Sequence, residues 1–250
     1  MKIKKFIKKG IGILALAGAV AVNCNPKPFN PEEKYAVLIN GSEERGFAVM
    51  EMRTYDNLLK MGFEKKNIYT LDHSGNQENT ASKKNVEKMF SSLERIVDEN
   101  DLLVVYFLDH GNRITIFQDG IPKKVSVVVL EDKYLNEDEI YNYLSKIHPK
   151  TGIVTTDTCY GGGIAKRVGK GNFIGISSSD ENESALFFYS QSFMSEFYAA
   201  FREKEADVNN DGKVTIKEAF DYNQIYVDAL PRKVTPLLIS EIDPDSVTLE

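Results

Sequence analysis

His110 and Cys159 are the two residues whose types and setting could do covalent chemistry. Each stands just past a short apolar run, Asp101-Leu-Leu-Val-Val-Tyr-Phe-Leu-Asp109 before the histidine and Gly152-Ile-Val-Thr-Thr-Asp-Thr158 before the cysteine. Each is soon followed by glycine, at Gly111 and Gly161. An imidazole beside a thiol can take its proton, and the thiolate is the nucleophile, so the pair is the minimum apparatus for thiol nucleophilic catalysis. Apolar, β-branched runs of this kind are expected as buried strands of a parallel sheet, where sites form beyond the carboxyl ends of the strands. One crossover connection fits between residues 110 and 159 and would bring neighbouring strand ends together.

The elements that must position the pair alternate between strand and helix signals. Tyr35 to Asn40 reads as a buried strand, Gly46 to Met61 as a helix, and Asn67 to Leu71 as a second strand. Val86, Met89, Phe90, Leu93, Ile96 and Val97 form a helical stripe ahead of the His110 strand. Ile114–Phe117 and Val125–Leu130, separated by Asp119-Gly120, read as a hairpin. Asn136 with Glu139 forms a capping box that starts a helix running to about Ile147. After the Cys159 strand come a strand from Phe173, a long helix over 186–204 and a further helix over 215–230. The expectation is an α/β, three-layer fold with a mostly parallel central sheet and helices on both faces.

Asp109-His110-Gly111, Glu131 to Ile140, and Asp157-Thr-Cys159-Tyr-Gly161 together resemble the caspase-like clan of cysteine peptidases, and most closely the legumain family. Asp180-Glu-Asn-Glu183-Ser184 resembles that family's Glu-Ser segment. The resemblance runs from about Tyr35 to Leu238. It implies that Cys159 attacks a peptide carbonyl, that His110 moves the proton, and that the N–H groups of Gly111 and Cys159 form an oxyanion hole. It also implies a substrate-binding role for Asp157, two residues before the cysteine, and for Arg45, Glu183 and Ser184. An Asp157–Arg45 pair would suit asparagine before the scissile bond; an unpaired Asp157 would suit lysine or arginine. The same dyad would serve a transpeptidase or transamidase, and the same fold could be kept by a non-catalytic surface lipoprotein that binds a partner.

Residues 207–218 carry an independent pattern. Asp207, Asn209, Asp211, Lys213 (through its carbonyl), Thr215 and Glu218 occupy the ligand positions of an EF-hand loop, with Gly212 at the sharp turn. A structural Ca2+ is the expected ion, and no organic cofactor is expected. His73 and His148 share no helix spacing with His110, which argues against a zinc site built from them. Gly175-Ile-Ser lacks the Gly-x-Ser-x-Gly pattern of a serine nucleophile elbow.

The first 23 residues read as a signal peptide: five lysines, then an uncharged run from Gly10 to Val22 too short for a comfortable membrane span. Ala21-Val-Asn-Cys24 resembles a bacterial lipoprotein box, with Cys24 as the lipidated residue, and 24–34 reads as a tether to the domain over 35–250. The expected location is the cell envelope through a lipid anchor, or outside the cell without one. If Cys24 is lipidated, Cys159 has no intrachain disulfide partner. Removing the leader takes the formal charge from −6 to −11. That acidic balance argues against nucleic acid and against electrostatic adhesion to anionic lipid, and leaves a peptide or protein substrate as the expected partner.

Overall fold

The computed structural model describes residues 31–74, 79–188, 191–228 and 232–250. The leader, Cys24 and most of the tether lie outside the described residues. Along the chain run β1 (Lys34–Asn40), α1 (Arg45–Lys60), β2 (Ile68–Asp72), α2 (Lys83–Ile96), β3 (Leu102–Leu108), β4 (Gly111–Gln118) and β5 (Ile121–Val129). There follow β6 (Tyr134–Asn136), α3 (Glu137–Leu144), β7 (Thr151–Asp157), α4 (Gly162–Val168) and β8 (Phe173–Ser177). The chain ends with β9 (Phe187–Phe188), β10 (Gln191–Ser192), α5 (Phe193–Ala200), α6 (Ile216–Tyr222), α7 (Gln224–Asp228) and β11 (Leu237–Ser240).

Six strands form the central sheet in the order β11-β8-β7-β3-β1-β2, all parallel except β11. Strands β3 and β7 are buried along their whole length, as their unbroken apolar runs require when both sheet faces are covered. The period of two divides their side chains between two cores. Leu38, Val104 and Tyr106 pack on one face with Phe197, Phe201 and Ile216. Val37, Ile39, Val105 and Phe107 pack on the other with Phe90, Leu93, Ile140 and Ile164. This is the three-layer α/β arrangement that the strand-helix alternation predicts.

The hairpin is longer than its two apolar patches suggest. Strands β4 and β5 pair from Gly111↔Val128 to Gln118↔Ile121, and β6 adds a third strand. Asp119 and Gly120 both take positive φ (52° and 78°), the conformation of a tight two-residue hairpin turn. The Asn136–Glu139 capping box forms as expected, with both hydrogen bonds at 3.0 Å, but α3 stops at Leu144.

Two helix expectations are corrected. The long helix over 186–204 is instead a short β9–β10 pairing followed by α5. Ser192 sets the start, because its hydroxyl accepts from Ser195 N–H while Ser195 Oγ accepts from Ser192 N–H. The helix over 215–230 is broken at Asn223, whose side-chain amide donates to the Phe193 carbonyl and anchors the break to α5.

Candidate active site

The register of the sheet aligns the candidate pair. Leu108 of β3 pairs with Asp157 of β7, and His110 and Cys159 each lie two residues further on. They therefore leave adjacent strands, about 4.8 Å apart in a parallel sheet, at the same height. A Cβ placed on Gly111 would lie 2.1 Å from the Cys159 carbonyl oxygen and 2.9 Å from Thr158 Cβ. Only glycine lets the histidine segment close down on the cysteine segment this way.

Cys159 rides on a tight turn. Tyr160 is left-handed (φ 62°), and its N–H donates to the Glu183 carbonyl at 2.8 Å. The Thr158 carbonyl accepts from Gly161 N–H at 3.2 Å and from Ser179 Oγ at 3.1 Å. The turn is thus fixed from both sides while the half-buried, free thiol stands at its crest. The backbone N–H of Cys159 has no hydrogen-bond acceptor among the described residues, so it is available to an incoming oxyanion.

His110 is half exposed. Its Nε2 lies 2.8 Å from Glu44 Oε1, and its ring meets the Phe47 ring edge-on at 5.2 Å. Its carbonyl accepts from Val129 N–H. The imidazole is engaged by Glu44, and it makes no hydrogen bond to the thiol. Glu44 is a residue that the sequence reading missed, and only its place in the β1–α1 loop, beside the strand that neighbours β3, could have signalled it. Asp109, also passed over, is buried behind the histidine; burial raises its carboxyl to about 7, opposed by the N–H groups and charge of His110 and by Gly41 N–H.

The expected specificity pair is not brought together. Asp157 is completely buried and accepts from the Tyr106 hydroxyl at 3.0 Å. Burial raises its carboxyl to about 6, against the pull of the Ser192, Ser178 and Tyr106 hydroxyls. Its Oδ1 has no partner at full hydrogen-bond geometry. Arg45 is exposed at the first position of α1, because the β1–α1 loop lays Glu44 over the site and turns into helix at the next residue. The Asp157–Arg45 pocket is therefore corrected to a buried Asp157 without an arginine.

Glu183 and Ser184 do adjoin the nucleophile, but their polar atoms serve the protein. Glu183 Oε1 accepts from Asp180 N–H at 3.1 Å and from Thr235 N–H. The Ser184 carbonyl accepts from Arg232 at 2.8 Å.

Residues 207–218 form a turn far along the chain from the dyad. Asp207 receives the N–H groups of Asp211 and Gly212 at 3.1 and 2.9 Å, and Asn210 and Gly212 have positive φ. The side chains of Asp207, Asn209 and Asp211 therefore gather as an EF-hand loop requires. The Glu218 carboxylate does not join them. It accepts from the N–H groups of Val208, Asn209 and Thr215 and from Thr215 Oγ1. The entering helix is only the 3-10 turn Lys204–Ala206. Among the described residues no three carboxylate, imidazole or thiol groups converge to hold a metal. The fit to calcium is thus half formed: the loop is preshaped, and its position-12 ligand caps α6 instead.

The model of the Peptidase C13 family matches residues 76–230, a span containing both His110 and Cys159. The chain belongs to the Peptidase C13 family. Metacaspase-4 of Arabidopsis thaliana is 25% identical over 167 residues, covering 61% of this chain and 40% of that protein. The chain thus spans about two fifths of the length of that relative. The crystal structure of protein GSU0716 from Geobacter sulfurreducens superposes with a TM-score of 0.60 at 14% identity, covering 86% of this chain and 97% of that one. The likeness is one of fold. The family match and the metacaspase similarity point to a caspase-like, cysteine-peptidase type of protein.

Proposed function

We propose that this C13-family chain is a cysteine endopeptidase acting through His110 and Cys159. The observation that carries the proposal is the in-register exit of the two residues from β3 and β7, closed by the contact of Gly111 with the Cys159 backbone. On this reading the His110 ring leaves Glu44 partly or pivots about it, and takes the thiol proton as Sγ attacks the scissile carbonyl carbon. The carbonyl oxygen gains the negative charge and is met by the N–H groups of Cys159 and Gly111. His110 returns its proton to the leaving amine as the C–N bond breaks, leaving a thioester on Cys159. Water then attacks the thioester, with His110 as base, and frees the acid and the thiol. Glu44 positions the imidazole; it does not touch the substrate.

On this reading a lysine or arginine before the scissile bond would meet Asp157, which has no arginine beside it, only if the surrounding side chains part, because the carboxyl is completely buried and bonded by Tyr106. A fluorogenic peptide panel varying the residue before the scissile bond tests both points, using protein that begins after Cys24 and a Cys159→Ala control. Cleavage lost in the control supports the peptidase. Folded wild-type protein without cleavage, in calcium and reductant, would favour the partner-binding lipoprotein. Ligation of an added amine in preference to water would favour the transpeptidase.

Export with a lipid on Cys24 is proposed from the leader alone, and fatty-acid labelling lost in Cys24→Ala tests it. A structural calcium ion held by Asp207, Asn209, Asp211 and the Lys213 carbonyl is proposed from the preshaped loop, with Thr215 and Glu218 completing the set only if Glu218 exchanges its hydrogen bonds for the ion.

A further inference from the structure

Beyond His110, on the side away from Cys159, the carboxyl ends of β1 and β2 open into a second cavity. It encloses about 330 Å3 and is lined by Glu43, Glu51, Met52, Tyr55, Asp72 and His73, among others. Its rim residue Glu43 is the chain neighbour of Glu44, which holds His110. The sheet order places it: the nucleophile stands on β7, the base on β3, and the cavity on β1 and β2, the next strands in the same direction.

Glu51 is the unusual member. It is only 8% exposed, an uncommon setting for a carboxylate. One oxygen, Oε2, accepts from Asn40 Nδ2 at 2.9 Å. The other, Oε1, has no hydrogen-bond partner among the described residues and is not sealed from solvent; the side chain lines the cavity. Burial, reinforced by the nearby charge of Asp72, raises this carboxyl to about 7. An anion held in so poor a place is relieved by a cation arriving from solvent. Among the described residues, the other titratable groups lining the cavity are Asp72, Glu43 and His73, with His73 Nε2 3.7 Å from Glu43.

Among the described residues no three carboxylate or imidazole groups are grouped to hold a metal ion, so the lining itself offers no metal site. Met52 and Tyr55 offer apolar wall beside the acids. That combination suits a long side chain with an aliphatic stem and a cationic end. The chemistry of the dyad fixes which part of a substrate would bring it. The group that donates a proton to the leaving amine must stand on the leaving-group side of the nucleophile, so a cavity beyond His110 faces the residues after the scissile bond.

We infer that this cavity is a subsite for a lysine or arginine located shortly after the scissile bond, with Glu51, Asp72 and Glu43 as its specificity-determining acids. The assignment of the side rests on the proposed peptidase mechanism; the affinity for a basic side chain does not.

The test therefore has a binding arm and a turnover arm. Binding of short amidated peptides carrying Lys, Ala or Glu is measured by titration calorimetry on full-length Cys159→Ala protein at pH 8, where Glu51 is ionised. The lysine peptide is expected to bind at least fivefold more tightly than the glutamate peptide, and Glu51→Gln and the exposed-rim variant Glu43→Gln are each expected to shrink that ratio. In the turnover arm, quenched peptides differing only after the scissile bond should show about a tenfold preference in kcat/KM for the basic one. A fluorogenic amide ending at the scissile bond should be cleaved alike by wild type and both variants. Equal binding of the three peptides, or a ratio unchanged in a folded Glu51→Gln/Glu43→Gln double variant, would overturn the subsite. A surviving binding ratio without any hydrolysis of the amide would instead count against the peptidase mechanism and leave the basic-residue site standing.

Discussion

Two motifs of similar clarity in the sequence meet different fates in the fold. The His110 and Cys159 segments lie 49 positions apart, yet the β3–β7 register delivers them to one place. The calcium-loop pattern is confined to twelve consecutive residues, yet its sixth ligand, Glu218, spends its carboxylate on backbone N–H groups instead. The strand ends inherit their positions from a sheet buried on both faces, which has few alternative arrangements. The loop is settled by short-range bonds, and there Thr215 and Glu218 satisfy the helix terminus first, as a capping box does. A local pattern fixes a turn more surely than it fixes convergence.

Breaking the strand-end pairing should give the largest effects. Cys159→Ala is expected to remove all hydrolysis above background in the fluorogenic assay. Gly111→Ala is expected to cost at least a hundredfold in kcat/KM, because the added carbon would overlap the Cys159 carbonyl and displace the proposed oxyanion donors, each worth about 10²–10³ in kcat. A Gly111→Ala protein of normal activity would mean that the close contact is not part of the working site.

The next effect sharpens how the pair is supported. Glu44→Ala should lower kcat about tenfold while KM stays within twofold, since it acts through the orientation of His110. Glu44→Gln, which retains a hydrogen-bonding oxygen, should recover part of the loss. A change confined to KM would make Glu44 a substrate contact instead.

Stability against pH distinguishes the rigid region by a different route. Asp109 ordinarily titrates near 3.8, and in the folded protein burial lifts it to about 7. Between those values the native state binds a proton that the unfolded chain has released. Stability should therefore fall as pH rises from about 4 to 7 and level off above, by roughly 2–4 kcal/mol for this one group. Urea unfolding at pH 5 and pH 8 measures the fall, and Asp109→Asn should flatten it. Equal slopes in wild type and variant would remove Asp109 as the cause.

The same contrast explains what could be read in advance. The buried strands, both faces of the sheet and the strand-end pair were legible because apolar period and strand-end chemistry are strong signals. Asp119-Gly120 and Asn136–Glu139 were legible because turn and cap residues act locally. The start of the helix within 186–204 was not, because Ser192 takes up its cap only in partnership with Ser195, and Asn223 breaks the following helix by reaching α5. Glu44 was displaced by Arg45 in the sequence reading because loop registry depends on how β1 enters α1, which no periodicity reports. The Asp157 environment was hidden for a related reason: its partners come from Tyr106 and from serines 21 and 35 residues away.

The calcium loop should show the smallest effect, and it tests the comparison from its other side. If Glu218 can be drawn off the α6 cap, the ring closes; if not, the motif remains a hydrogen-bonded turn. A weak site with a dissociation constant near 1 mM, at about 5 mM calcium, contributes roughly 1 kcal/mol, or a rise of about 2–4 °C in Tm. Asp207→Ala should abolish that rise. Glu218→Gln separates the two halves, since it weakens the ion's best ligand while leaving one oxygen to accept either from Val208 and Asn209 or from Thr215. A rise that persists in Glu218→Gln would show that the preshaped loop alone holds the ion, and that convergence of the last ligand is not needed. An equal rise in magnesium, or none in calcium, would return the loop to a purely structural turn.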